Sequence, residues 1–239
     1  MTSAMQPTQL DRLTVLLWRH APTPDNSSGR LQGRRDTETG EAGLEVGREA
    51  ARNIADRYGL PSAIWSSPLR RASETAQLLT DLGGPQWERE DGITQRSYGV
   101  WEGMTFEQVA REYPQELMVR DSGGDPDIPG WEVGKTVGKR VSDAITVRCN
   151  TLFAKAVSLQ REGDSTLLDE LGENIRPAVF VSHGSAIASG VRDLLGLPEQ
   201  PRILGHLHHA NWVELRYSPH GAKPYGSQWT LQRFNSGPS

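Results

Sequence analysis

The chain has 239 residues, of which 36% are hydrophobic and 23% charged, and its net charge is −4. This length fits one large domain with a sizeable core, and the composition excludes a disordered chain and a membrane-embedded one. The lack of a basic excess argues against nucleic-acid binding, and a single cysteine excludes an internal disulfide. We therefore expect a cytoplasmic globular protein with neither nucleic-acid nor membrane partners.

Short apolar runs alternate with segments of helical periodicity along the chain. In chain order we predict a strand at 14–18 (TVLLW), a helix at 42–58, a strand at 63–65 (AIW), helices at 69–82, 106–112 and 139–161, a strand at 178–181 (AVFV), a helix at 185–195, and strands at 212–217 and 228–234. Strands alternating with long helices predict an α/β sandwich with a mostly parallel central sheet.

The domain boundaries follow from composition. We predict a flexible lead-in at 1–10, one domain over 11–234 and a flexible tail at 235–239. Two segments near 122–138 and 164–177 are rich in polar residues, Gly and Pro, and we expect both to be irregular excursions.

Unusual polar side chains follow three of the predicted strands. Arg19-His20 follows TVLLW, the segment 66–71 (SSPLRR) follows AIW, and Ser182-His183-Gly184 follows AVFV. Because ligands collect at the carboxyl ends of strands in open α/β sheets, we expect these groups to share one site. Arginines bind phosphate oxygens, and a neutral imidazole can accept a phosphoryl group. The combination therefore predicts phosphoryl transfer.

Five motifs in this order resemble the histidine phosphatase superfamily, also called the phosphoglycerate mutase-like family. They are segments 19–23 (RHAPT, for RHGxT), 26–33 (N…LQG), 66–76 (SSPLRRASETA), 98–103 (YGVWEG) and 181–184 (VSHG). The resemblance covers residues 15–212. It implies a three-layer α/β/α fold of the phosphoglycerate mutase type and a phosphatase that acts on a small phosphorylated metabolite. It implies neither a cofactor nor a metal.

The resemblance also implies roles for individual residues. His20 is the expected nucleophile, which becomes phosphohistidine, and Arg19, Arg71 and His183 are expected around the phosphoryl group. The expected substrate contacts are Thr23, Asn26, Gln32, Gly33, Gly184, Glu132 and His209. Arg70, the neighbour of Arg71, is expected to face outward.

Gln95 departs from the family pattern. Relatives usually have a glutamate at this position, just before YGxWEG, as the general acid, and an amide cannot protonate a leaving oxygen. Three explanations stay open. Another carboxylate supplies the proton, with Glu90, Asp91, Glu102 and Glu132 as candidates; the leaving group needs no proton; or the protein does not hydrolyse phosphate esters.

The segment 205–212 (GHLHHANW) contains three histidines but no carboxylate at a matching spacing, so we do not predict a metal there. A protonated imidazole from this segment is a further substitute for the missing acid. We expect a phosphomonoester hydrolase. The alternative is a repurposed lyase or isomerase, or a phospholigand-binding protein, and a mutase is less favoured because the tail is short. A homodimer stays open.

Overall fold

The computed structural model describes residues 10–169, 174–198, 203–221 and 228–238, and these contain one mixed sheet of six strands. The strands are β1 Leu13–Arg19, β2 Ala63–Ser66, β3 Glu88–Arg89, β4 Ile175–Ser182, β5 Trp212–Tyr217 and β6 Trp229–Ser236. They lie in the order β3-β2-β4-β1-β5-β6. The first four strands pair in parallel, whereas β5 is antiparallel to both of its neighbours.

Seven α-helices accompany the sheet in the described part of the chain. They are α1 Pro24–Ser27, α2 Glu41–Tyr58, α3 Arg70–Asp81, α4 Phe106–Glu112, α5 Pro114–Asp121, α6 Gly134–Arg161 and α7 Gly184–Leu194. Among the helices so described, none combines the length and the apolar character needed to cross a membrane.

Alternation along the central strands distributes the core over both faces of the sheet. In β1, Val15 and Leu17 pack in the cluster that contains α6 and α7, whereas Leu16 and Trp18 pack in the cluster that contains α2 and α3. Side chains alternate between faces because a strand has a period of two residues. The predicted three-layer α/β/α arrangement is therefore confirmed.

The longest helix begins earlier than the sequence predicts. Residues 134–138 fall within the predicted irregular excursion at 122–138, but they form the first turn of α6. Glycines at 134 and 138 lower helix propensity and hid this start. Packing explains the glycine at position 138, because a Cβ there would lie 3.0 Å from the Ser189 carbonyl oxygen of α7. The two helices therefore approach closely at this glycine.

Other boundaries also differ from the prediction. Helix α5 was not predicted, although Pro114 stands at its first turn, where proline is tolerated. Strand β6 continues to Ser236, two residues into the predicted flexible tail, and β4 begins at Ile175, inside the predicted excursion at 164–177. The lead-in at 1–9, residues 170–173 and Ser239 lie outside the described residues. Leu10 is buried.

Candidate active site

The two predicted histidines meet at the carboxyl ends of neighbouring strands. β1 and β4 pair in parallel with Arg19 opposite Ser182, so the next residue of each strand is a histidine at the same edge. The His20 backbone N–H donates to the Ser182 carbonyl oxygen at 2.9 Å. The ring centroids of His20 and His183 are 5.1 Å apart. The sheet register alone therefore brings together residues far apart in sequence.

One hydrogen bond determines which nitrogen of His20 is free. Its Nδ1–H donates to the carbonyl oxygen of Ala21 at 2.7 Å, which leaves the lone pair on Nε2. Burial, followed by the charge of Arg71 and the neighbouring His183, lowers the pKa of His20 well below its ordinary value. The imidazole is therefore neutral at pH 7 and has the form that a nucleophile needs.

Arg71 lies beneath the site on α3 and is only 1% exposed. Its two terminal nitrogens donate to the carbonyl oxygens of Arg35 and Gly33 at 2.7 and 2.8 Å. Its Nε is buried and has no hydrogen-bond partner among the described residues. Burial lowers the pKa of Arg71 to about 10, so the side chain keeps its charge at pH 7.

Arg19 is held by the segment 206–209. It donates to the Leu207 carbonyl oxygen and to His209 Nε2, each at 2.5 Å, and it lies 3.3 Å from His206 Nε2. Burial, followed by the charge of Arg19, lowers the pKa of His209 to about 3. His209 therefore accepts from Arg19 as a neutral imidazole. Proton donation by an imidazole of this segment stays a prediction, although His209 Nε2 accepts rather than donates in this arrangement.

His183 is fully buried beside His20. Its Nε2 lies 2.7 Å from the hydroxyl of Ser67, and its Nδ1 is buried with no partner among the residues that the structure describes. Burial, followed by the charges of Arg71 and Arg19, lowers the pKa of His183 well below its ordinary value. A second neutral imidazole with one unused nitrogen thus lies against the first.

A cavity of about 300 Å³ opens at these residues. The predicted site residues that line it are Arg19, His20, Asn26, Gln32, Gly33, Arg71, Gln95, Gly184 and His209. Gly33 has a φ of +53°, and a Cβ there would lie 2.2 Å from Glu102 Oε1, so this position requires glycine. The structure thus brings most of the predicted site into one pocket.

Thr23 lies behind the pocket wall. It caps α1, and its hydroxyl donates to Asn26 Oδ1 at 2.9 Å and accepts from Gln32 Nε2 at 2.8 Å. Thr23 is not among the described lining residues, and its direct contact with substrate stays a prediction. Thr23 positions Asn26 and Gln32, which do line the cavity.

Glu132 is also absent from the described lining, and its contact with substrate stays a prediction. Arg140 holds both of its carboxylate oxygens, at 2.8 and 3.0 Å, and Arg34 contacts one of them at 3.1 Å. Burial opposes ionisation, but the hydrogen bond and charge of Arg140 outweigh it and lower the pKa of Glu132. Arg70 faces outward as predicted and pairs with Glu38 and Glu74.

Gln95 lines the cavity and is 8% exposed. None of the four carboxylates predicted as substitutes is among the described lining residues. Glu102 accepts from backbone N–H groups of residues 34 and 98, Glu90 pairs with Arg148 at 2.7 Å, and Asp91 pairs with Arg89 on the surface. Replacement of the usual acid by one of these carboxylates stays a prediction, although in this arrangement their described contacts lie outside the cavity lining.

Further arginines, which the sequence did not indicate, also line the cavity. They are Arg30, Arg96, Arg120 and Arg192. Arg96 stacks on Trp131, lies 3.4 Å from Asp125, and keeps a buried Nε without a partner in the described part of the chain. The position of Arg96 directly after Gln95 in the sequence could have indicated its role. No such indication existed for Arg120, because it lies on the unpredicted helix α5.

Comparison with known proteins agrees with this geometry. A family model described as "Histidine phosphatase superfamily (branch 1)" matches residues 15–230. The chain is 32% identical to a glucosyl-3-phosphoglycerate phosphatase of Mycolicibacterium vanbaalenii over 84% of the chain and 83% of that protein. It is 28% identical to a protein of the same name from Mycobacterium tuberculosis, over 93% and 94%.

A solved structure of mycobacterial glucosyl-3-phosphoglycerate phosphatase in complex with VO3 superposes with a TM-score of 0.72. It is 28% identical and is matched over 95% of this chain and 100% of the other. The family model, these relatives and the paired histidines agree, and the chain belongs to the histidine phosphatase superfamily, as a hydrolase of the phosphoric monoester type.

Proposed function

We propose that this protein hydrolyses a small phosphorylated metabolite through a phosphohistidine on His20. The observation that carries the proposal is the neutral His20 with a free Nε2, which lines the cavity together with Arg19 and Arg71 and packs against the ring of His183. The phosphoryl group of the substrate occupies the space between these side chains. His20 attacks it, because its lone pair is available and its pKa is low.

The guanidinium groups stabilise the charge on the transferring group. Among the residues that the structure describes, Arg71 and Arg19 each keep a buried Nε–H without a hydrogen-bond partner. Charge-assisted hydrogen bonds from such groups are worth more in a buried site than in water. Two fixed cations at this position support phosphoryl transfer without a metal, and we propose that the reaction needs none.

In the second half of the reaction, water attacks the phosphohistidine. The new O–P bond replaces the N–P bond, and the electron pair returns to His20 Nε2. The Nδ1–H bond to Ala21 keeps the ring in one orientation through both halves. Burial of His183 against His20 keeps the leaving nitrogen in the same place.

The outer cavity supports a substrate with a second anionic group. Arg30, Arg96, Arg120 and Arg192 line it away from the histidines, and arginine pairs well with carboxylates and phosphates. The relatives are named for a phosphoglycerate, which carries a carboxylate beside its phosphate. A phosphate ester that also carries a second anionic group, such as a carboxylate, fits the charge of the pocket.

The test is to trap the intermediate. The protein is mixed with labelled phosphate esters in the presence of a chelator, quenched with alkali, and analysed for phosphohistidine by mass spectrometry. We expect label on His20 in the wild type and none in His20→Ala, together with loss of turnover. His220→Asn, at an exposed histidine, is the matched control and keeps the label. Turnover in His20→Ala, or none with the chelator, contradicts the proposal.

A further inference from the structure

The described wall of the cavity offers positive charge and hydrogen-bond donors. Its charged side chains are arginines, namely Arg19, Arg30, Arg71, Arg96, Arg120 and Arg192. No Asp or Glu is among the lining residues within the described part of the chain. Such a wall stabilises an anion that forms inside it, because the guanidinium groups stay protonated at any working pH.

Gln95 presents a donor that does not release its proton. Its Oε1 accepts the backbone N–H of Arg96 at 2.9 Å, so the carbonyl end of the amide is occupied. The NH₂ end remains for a ligand in the cavity that Gln95 lines. An amide N–H donates a hydrogen bond to an oxygen anion but is not a general acid.

Two imidazoles at the site, those of His20 and His209, are not proton donors either. His20 is the nucleophile, and its only ring hydrogen is bound to the Ala21 carbonyl oxygen. His209 Nε2 accepts from Arg19, so this nitrogen carries no hydrogen. Gln95 therefore presents a hydrogen-bond donor and His209 an unprotonated Nε2, and neither group protonates a leaving oxygen.

We infer that the leaving oxygen of the substrate departs as an anion, and that the substrate is a phosphate ester of a weakly basic oxygen. Enol, phenol and hemiacetal phosphates belong to this class, whereas esters of ordinary alcohols do not. This inference rests on the proposed phosphoryl transfer to His20. His20 Nε2 forms the N–P bond, the P–O bond breaks, and its electron pair leaves on the oxygen. That oxygen takes up the proton released when water later hydrolyses the phosphohistidine.

The test is the dependence of kcat/KM on the leaving-group pKa. The full-length protein is assayed with a series of substituted phenyl phosphates, with phosphoenolpyruvate as an enol ester and with an alkyl phosphate. We expect a steep fall in kcat/KM as the leaving-group pKa rises. In Gln95→Glu we expect a shallower slope and a gain on the alkyl ester of about 10²-fold or more, since general acid catalysis is typically worth 10²–10⁴-fold.

The matched control is Gln232→Glu, the same change on an exposed strand position, and it keeps the wild-type slope. A shallow slope in the wild type overturns the inference. The inference is also overturned if the slope steepens in His209→Gln or in Tyr98→Phe, because the substituted residue would then be the proton donor. Trapping of phosphohistidine distinguishes the two proposals, since label on His20 with a shallow slope overturns this inference alone. Inactivity toward every ester in the series overturns both.

Discussion

At the scale of single residues, the site depends on which carboxylates are already paired. Glu132 and Gln95 share two arginine partners. Arg34 and Arg140 each donate both to the Glu132 carboxylate and to the backbone carbonyl oxygen of Gln95. Glu132 therefore stabilises the wall that holds Gln95. Sequence alone does not distinguish this positioning role from a contact with substrate.

The role of Glu132 leads to a stability prediction. Glu132→Gln removes a charge that Arg140 and Arg34 share, and we expect a loss of about 1–3 kcal/mol in the free energy of unfolding. Urea denaturation measures it. The control is Glu112→Gln, which breaks an exposed pair with Arg111 and should cost less than about 1 kcal/mol. Equal losses in both variants would contradict a supporting role for Glu132.

At the scale of elements, helix α2 supports the loop that follows His20. A Cβ on Gly43 would lie 1.9 Å from the Pro22 carbonyl oxygen and 2.7 Å from Thr39 Cγ2. The first contact is with backbone, which cannot move without shifting the chain beside the nucleophile. This glycine allows the helix to lie directly against the loop.

Gly43→Ala should therefore reduce both stability and turnover, although alanine is favoured in a helix interior by about 1 kcal/mol. Thermal unfolding and steady-state kinetics measure the two effects. Ala42→Gly, at the exposed neighbouring position, should lower stability through propensity alone and leave turnover unchanged. A more stable, fully active Gly43→Ala would show that the loop adapts to the larger residue.

Strand and helix positions were predictable where periodicity is strong. The strand at 212–217 and the helix at 106–112 have the predicted bounds, and the residues following β1 and β4 meet as expected. The start of α6 was not predictable, because Gly138 is explained only by its contact with α7 and Gly134 only by the nearby Arg96 side chain. The additional arginines that line the cavity were missed for a similar reason, since Arg120 reaches the cavity from the unpredicted helix α5.

At the scale of the whole molecule, two buried neutral histidines make stability depend on pH. The pKa values of His20 and His183 are lowered well below 6.5 in the folded protein, mainly by burial. The unfolded chain therefore binds protons below about pH 6.5 that the folded chain does not bind. Their contribution to stability is complete above that pH and is lost as the pH falls toward the folded pKa values.

We expect the free energy of unfolding to fall below about pH 6.5 by about 1.4 kcal/mol per pH unit for each of the two groups. Urea denaturation between about pH 7.5 and 5.5 measures the slope. His183→Asn should remove one group and reduce the slope by about 1.4 kcal/mol per pH unit. His220→Asn should retain the wild-type slope, and an unchanged slope in His183→Asn would contradict the prediction.

The position of β1 in the middle of the sheet has a consequence for biosynthesis. The ribosome makes β1 well before its two partners, because β4 begins only at Ile175 and β5 only at Trp212. Until then the apolar segment LTVLLWR has no neighbours to pair with, and pairing between distant segments is slow. A nascent chain that stops before Tyr217 lacks a complete β5 beside β1, so the sheet that carries the active site is incomplete until this strand has been made.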